Sequence, residues 1–288
     1  MLPLGQRSGE GRKRGGTPLS VEQTAPLARK LREHGVDWIV PSWPVAAHVQ
    51  ALVTTRAGGV SGGPYATMNL GLHTADDPEC VAENRRRLTT FLPSPPVWLD
   101  QVHGADVVVL RAGIVAAPKP ADAAVTCERG VVCAVLVADC LPVLLADRRG
   151  SVVGVAHAGW RGLVAGVLEA SVTALGDLGA ARRDLVAWLG PAIGPAAFEV
   201  GADVRDTLLA RDAALAQCFV AHRDGKWLAD LYGIARNRLA AAGVTEMSGG
   251  GDCTKTDAAR FFSYRRERAS GRMAALAWLA QETATAHV

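Results

Sequence analysis

The chain's 288 residues, 49% hydrophobic and 20% charged, suffice for one large domain with a sizeable core and place it in the globular class. A net charge of +3 and a pI near 8.6 are only mildly basic, and much of that charge sits near the start (Arg7, Arg12, Lys13, Arg14, Arg29, Lys30, Arg32), so no nucleic-acid partner is expected. No run approaches the roughly 18 uncharged apolar residues of a membrane span, so no membrane partner is expected either.

Six scattered cysteines (Cys80, Cys127, Cys133, Cys140, Cys218, Cys253) form no C-x-x-C pair, and Met1 to Thr17 lacks the apolar centre of a signal peptide. Both features predict free thiols in a reduced, cytoplasmic compartment. Residues 1–36 read as a poorly ordered basic extension, glycine- and arginine-rich up to Gly16, with Ser20 capping a short helix to His34. Residues 37–282 read as one domain and 283–288 as a tail.

The core opens near Trp38, Ile39, Val40 and Trp43. Ala51 to Thr55 is a strand candidate that runs into the glycine-rich loop Arg56 to Tyr65, where glycines permit close backbone approach to a ligand. Arg56 at the mouth of that loop and Asn69 just beyond it are candidate substrate contacts. Asp77-Pro78 starts a helix to about Leu92, with proline at the first helical position. Trp98-Leu99, Val107 to Leu110 and Asp122 to Thr126 read as strands, and the polar turn Asp100-Gln101-Val102-His103-Gly104 lies between the first two.

Val131 to Leu145 is the most apolar stretch. It leads to Ala138-Asp139-Cys140, and Pro142 predicts a bend or strand end there. Val152 to Ala158 reads as a buried strand ending at His157. The glycine-bracketed Trp160-Arg161 turn then feeds a helix from Leu163 to Leu175, carried by Val164, Val167, Leu168, Val172 and Leu175. Such a strand–turn–helix unit places the last strand side chains and the helix N-terminus around one spot. Trp188 to Pro195 is a rigid Gly/Pro turn after another strand. Asp230 to Ala242 is an amphipathic helix stopped by Gly243, and Met273 to Leu279 is a last apolar segment. Strands and helices alternate irregularly, which predicts an α/β (α+β) fold with mixed sheets.

His103, Cys140 and His157 each fall at a predicted strand end or turn. Two imidazoles and a thiolate make a three-ligand set that suits catalytic zinc, with the fourth position open. The same residues admit two other chemistries: a Cys140–His157 thiolate–imidazolium dyad for acyl transfer, and His₂Cys ligation of copper. The seven histidines contain no H-x-H pair, which argues against a multicopper centre. Neither the H-x-E nor the P-C-x-x-C signature of ordinary zinc nucleobase deaminases is present.

Several motifs occur in a fixed order: Thr54-Thr55-Arg56-x-Gly58-Gly59-Val60-Ser61, Asn69-Leu70-Gly71-x-His73, Gln101-Val102-His103-Gly104, Ala138-Asp139-Cys140-Leu141-Pro142-Val143, His157-Ala158-Gly159-Trp160-Arg161-Gly162, Gly190-Pro191-Ala192-Ile193-Gly194-Pro195 and Phe261-Phe262-Ser263-Tyr264-Arg265. Over about residues 38 to 280 the chain thereby resembles the laccase-domain family, also known as the multicopper polyphenol oxidase or peptidoglycan editing factor family. The resemblance implies one layered α/β domain with mixed sheets flanked by helices. It implies zinc on His103, Cys140 and His157, with copper as the alternative. It also implies phosphorolysis of adenosine, inosine, guanosine and S-methyl-5'-thioadenosine, together with adenosine deamination. On that expectation the partners are purine nucleosides and phosphate, and Arg56, Asn69 and Arg161 contact substrate. Polyphenol oxidation and Cys–His editing of cell-wall precursors are the alternative activities. Where family members often carry Cys-Cys-Tyr after the Gly-Pro turn, this chain has Ala196-Ala197-Phe198.

Overall fold

A computed structural model describes residues 25–113 and 120–281 of the chain. The start of the expected first helix at Ser20, most of the basic extension and the tail lie outside the described residues.

The elements in chain order are α1 (Ala25–Glu33), β1 (Val49–Val53), α2 (Pro78–Thr89), β2 (Val107–Val109), β3 (Ala123–Thr126), β4 (Val132–Val137), β5 (Leu141–Asp147), β6 (Val153–Ala158), α3 (Trp160–Ala165) and α4 (Val167–Asp177). There follow β7 (Leu185–Leu189), β8 (Glu199–Gly201), α5 (Ala202–Arg211), β9 (Phe219–Arg223), β10 (Lys226–Ala229), α6 (Leu231–Ala241), β11 (Glu246–Gly249) and β12 (Met273–Leu279). They form a mixed sheet β11-β7-β5-β6-β3-β2, an antiparallel sheet β1-β12-β4 and a small sheet β8-β10-β9.

The period-two geometry of strands assigns each residue to a layer. Leu141, Val143, Leu145, Ala156 and Ala158 face a core shared with α3, α4 and α6. The intervening Leu144, Ala146, Val153 and Val155 face the other way, onto Cys133, Val135, Met273, Ala275 and Ala277 of the antiparallel sheet. That sheet's remaining residues, Leu52, Ala134, Leu136, Ala274 and Leu276, pack beneath Leu27 and Leu31 of α1 and Leu88 of α2. The result is a four-layer α/β/β/α sandwich. β4 and β12 are buried on both faces, which is why their sequences are unbroken apolar runs rather than alternating ones.

The strand expected over Ala51 to Thr55 lies slightly earlier, at Val49–Val53. Three further expectations need correcting. Trp98-Leu99 is no strand; the neighbouring Val97 and Asp100 make only isolated bridges, to Cys133 and Pro120. Pro142 does not end a strand but is the second residue of β5, opposite His157. It is tolerated because its ladder with β7 starts one residue later, at Val143 with Leu189, so no backbone donor is needed from it. The Leu163–Leu175 helix begins earlier, at Trp160, and is broken in two by Gly166, whose φ of 94° closes α3. Trp160 and Arg161 therefore belong to a first helical turn, not to a loop.

Candidate metal centre

The site sits at one rim of the sandwich, where three segments converge. The first is the end of β6. The second is the crossing Ala138–Cys140, which carries the chain from β4 in one sheet to β5 in the other. The third is the turn 101–104. The ligand atoms of His103, Cys140 and His157 lie within 4.8 Å of one another. Cys140 Sγ is 3.9 Å from His103 Nε2, and the two imidazole rings meet edge to face at 4.8 Å.

Asp122, one residue ahead of β3, organises both histidines. His157 Nδ1 donates to Asp122 Oδ1 at 2.7 Å, and His157 N donates to the Asp122 carbonyl at 2.7 Å. The same carboxylate accepts the backbone N–H groups of Val102, His103 and Gly104 at 3.1, 3.0 and 2.6 Å. Three successive amides can converge on one acceptor because His103 adopts φ 61°, in the left-handed region. Burial opposes the charge on Asp122, but the hydrogen bonds from His157 and Gly104 outweigh it and hold the carboxyl below its usual range. The carboxylate fixes the His157 tautomer and leaves Nε2 free to ligate.

Burial also opposes a charge on Cys140 and on His157. Their mutual attraction overrides it, lowering the thiol's pKa and raising the imidazole's. Asp139, at φ 85°, looks away from this pair: it accepts from Thr254 Oγ1 and from Arg265 N, both at 2.6 Å, and pins the crossing to the C-terminal loop.

The donor set fits a metal ion. Two imidazoles and a thiolate of lowered pKa present ligand atoms within bonding span of one point, and a carboxylate supports one imidazole. Gly159 keeps the space clear, since a Cβ there would stand 2.9 Å from Cys140 Sγ and 3.4 Å from His103 Cδ2.

The three residues open onto a two-lobed cleft. A larger lobe of about 640 Å³ is bordered by His73, Asp100, Gln101, Arg161 and Arg272. A smaller one of about 210 Å³ is bordered by Trp160, Ile193, Phe198, Leu231 and Arg265. His103, Cys140, Arg161 and Tyr264 border both lobes. Phe198, where the chain departs from the family's tyrosine, is thus a cleft wall.

Of the residues expected to contact substrate, the structure brings Arg161 to the metal cluster and places Arg56 and Asn69 elsewhere. Arg56 donates to the carbonyls of Ala66 and Ala258, both at 2.9 Å, and lies over the Phe262 ring. Asn69 is fully buried and bonds Thr74, Asp76, Gly71 N and Arg272 N. In the glycine-rich loop, the amides of Gly59, Val60 and Ser61 are taken by Thr67 and Asn84. Asp122, Arg272 and Tyr264 were not singled out from sequence. Tyr264 lay inside the Phe261–Arg265 motif without being given a role, and Asp122 carried a local signal, a charge heading an otherwise apolar strand, which needs a partner if buried.

Comparison with known proteins extends the site to a family. A purine nucleoside phosphorylase of Pseudomonas aeruginosa is 53% identical over 249 residues, covering 84% of this chain and 98% of that protein. The purine nucleoside phosphorylase YfiH of Escherichia coli is 53% identical over 243 residues, with 84% and 98% covered. The crystal structure of a Neisseria meningitidis protein superposes with a TM-score of 0.81 at 44% identity, covering 85% of this chain and all of that one. YlmD of Geobacillus stearothermophilus gives 0.77 at 34%, with 85% and 96% covered. The family described as multi-copper polyphenol oxidoreductase laccase matches residues 50–280, a span that holds all three candidate ligand residues and the cleft, and it is to this family that the chain belongs.

Proposed function

We propose that the chain is a zinc-dependent purine nucleoside phosphorylase that acts on adenosine, inosine, guanosine and S-methyl-5'-thioadenosine and also deaminates adenosine. The observation that carries this reading is the His₂Cys cluster opening onto a cleft with arginines that have no carboxylate partner among the described residues. Relatives named purine nucleoside phosphorylases at 53% identity support it. The free thiols Cys140 and Cys253, both partly exposed, suit a reducing cytoplasm.

In phosphorolysis a phosphate oxygen bonds to C1′ of the ribose as the C1′–N9 bond breaks, and the departing purine takes up a proton. The attack needs an oriented dianion, and the planar donor fork of Arg161 supplies orientation. Arg56 and Asn69 act in this reading at one remove, by bracing the segments 63–67 and 69–76 near the cleft. His103, Cys140 and His157 would hold the zinc, which when bound supplies Lewis acidity and a net local charge of about +1. Asp122 keeps His157 in its ligating tautomer and keeps the His103 turn closed.

Two observations bear on the alternatives. Among the described residues one group alone can hold an ion, so a multicopper oxidase would lack its further centres. The Cys140–His157 pair would serve a thiol hydrolase of cell-wall precursors equally well in charge state. The deciding experiment measures zinc and copper in purified protein and follows adenosine and inosine with and without phosphate. Base release that requires phosphate, with zinc near one per chain, is the expected result; ammonia released from adenosine without phosphate reports the deaminase. Copper-dependent phenol oxidation with no purine release would sink the proposal, and so would a Cys140→Ala variant of full activity.

A further inference from the structure

Three guanidinium groups border the cleft, those of Arg161, Arg265 and Arg272, and none is paired with a carboxylate among the described residues. Elsewhere the arginines commonly are paired, as Arg86 and Arg87 with Glu83 or Arg223 with Glu199. Arg265 donates to the Glu199 carbonyl and lies over Phe198, so it braces the small lobe. Arg272 is half-buried and more tightly held. Its NH1 donates to the carbonyls of Ser270 and Gly271 at 2.7 and 3.1 Å, and its backbone N donates to buried Asn69. The anchored Arg272 side chain lines the larger lobe together with His73 and Arg161. His73 is disposed to stay neutral there, since burial and then the charges of Arg272 and Arg85 lower its pKa. Asp100 is the single acid bordering this lobe, against two arginines.

The smaller lobe is bordered by Arg161, Arg265 and Asp139, but the rest of its lining is mostly apolar. Trp160, Ile193, Phe198 and Leu231 give it apolar walls, and the half-exposed ring of Tyr264 stands between the two lobes, 6.0 Å from the Arg272 guanidinium.

We propose that the two lobes divide the substrates: Arg272, with Arg161 and His73, holds the inorganic phosphate in the larger lobe, and the apolar lobe beyond Tyr264 holds the purine. This rests on the phosphorolysis reading and adds what that reading lacks, a place for each reactant on either side of the metal ligands. An immobilised, half-buried arginine fork binds a phosphate dianion with little loss of side-chain freedom, whereas a flat uncharged ring gains from aromatic and aliphatic walls.

The test is a separation of KM effects. Arg272→Gln should raise the KM for phosphate at least tenfold while the nucleoside KM stays within about threefold, and Arg272→Lys, which keeps the charge but not the fork, should fall between it and the parent. Tyr264→Leu should do the reverse, raising the nucleoside KM and sparing that for phosphate. Equal effects of either variant on both KM values, or an unchanged phosphate KM in Arg272→Gln, overturn the proposal. Titration calorimetry with inorganic phosphate alone tests it without turnover. If the parent protein binds phosphate and Arg272→Gln does not, the assignment stands even should phosphorolysis itself be absent. If both bind equally, the assignment fails although the phosphorylase reading survives. Thermal melting and metal content of each variant show that it is folded.

Discussion

At the scale of single residues, Asp122 joins more of the site than any ligand does. It touches His157 through the ring and the backbone, and it gathers the three amides around His103. Asp122→Asn retains the size but offers only one oxygen acceptor and presents an N–H₂ to groups that themselves donate. The expected outcome is a loss of metal affinity of roughly 10- to 100-fold, the range for removing a carboxylate behind a ligating histidine. Competition with a chromogenic zinc chelator measures it, and an unchanged affinity would show that the carboxylate is not supporting the ligand. This residue also marks where sequence reading runs short. His103, Cys140 and His157 were legible because their types and strand-end positions suggest ligation. Arg272 was not, because it reaches the cleft from the far end of the chain and nothing local distinguishes a cleft arginine from a surface one; Tyr264 lay in a motif that gave it no role.

Among the elements, the break between α3 and α4 differs most instructively from the sequence pattern. The apolar spacing from Val164 to Leu175 satisfies one continuous helix, and both pieces do bury that stripe, at Leu163 in α3 and at Val167, Leu168, Val172 and Leu175 in α4. Hydrophobic periodicity reports which face is buried but is nearly blind to a single residue's φ, so the break at Gly166 left no trace in it. Other elements failed to show for a different reason. β9 exposes every residue after Phe219, and β8 has only three residues, so neither carries an alternating apolar signature. Gly166→Ala separates the two pictures by sign. In a continuous helix, alanine for glycine would stabilise by up to about 1 kcal/mol. At φ 94° the added Cβ instead meets the left-handed penalty of about 1–2 kcal/mol. The lattice of neighbours is not the cause, since the nearest atoms to such a Cβ are flexible ends of Arg211 and Glu169 at 3.5 and 3.6 Å. Urea unfolding should therefore show a destabilised variant; a gain in stability would mean that the helix is unbroken.

For the molecule as a whole, the α/β class with mixed sheets was readable and the strand pairing was not. Val132–Val137 and Met273–Leu279 stood out in the sequence as apolar segments, but their antiparallel partnership joins segments some 140 residues apart, which no local pattern encodes. The same long-range closure would give a metal bound there a structural consequence. His157 stands in the six-stranded sheet, Cys140 at the crossing from the antiparallel sheet, and His103 in a turn that contacts both through Asp122 and through Gln101, whose side chain bonds Leu136 N and O. An ion bound by these three side chains ties the two sheets together in the folded state only. Its contribution follows from mass action: about 2.7 kcal/mol when free zinc is 100 times its dissociation constant, reduced by whatever the unfolded cysteines and histidines bind. For a chain of this size each kcal/mol moves Tm by about 2–4 °C. Chelation of the zinc-loaded protein should thus lower Tm by roughly 5–10 °C, and zinc, added back, should restore it. In Cys140→Ala the dependence should vanish, with the melting curve the same in zinc and in chelator. A Tm indifferent to chelation in protein that demonstrably carries zinc would place the ion elsewhere than between the sheets.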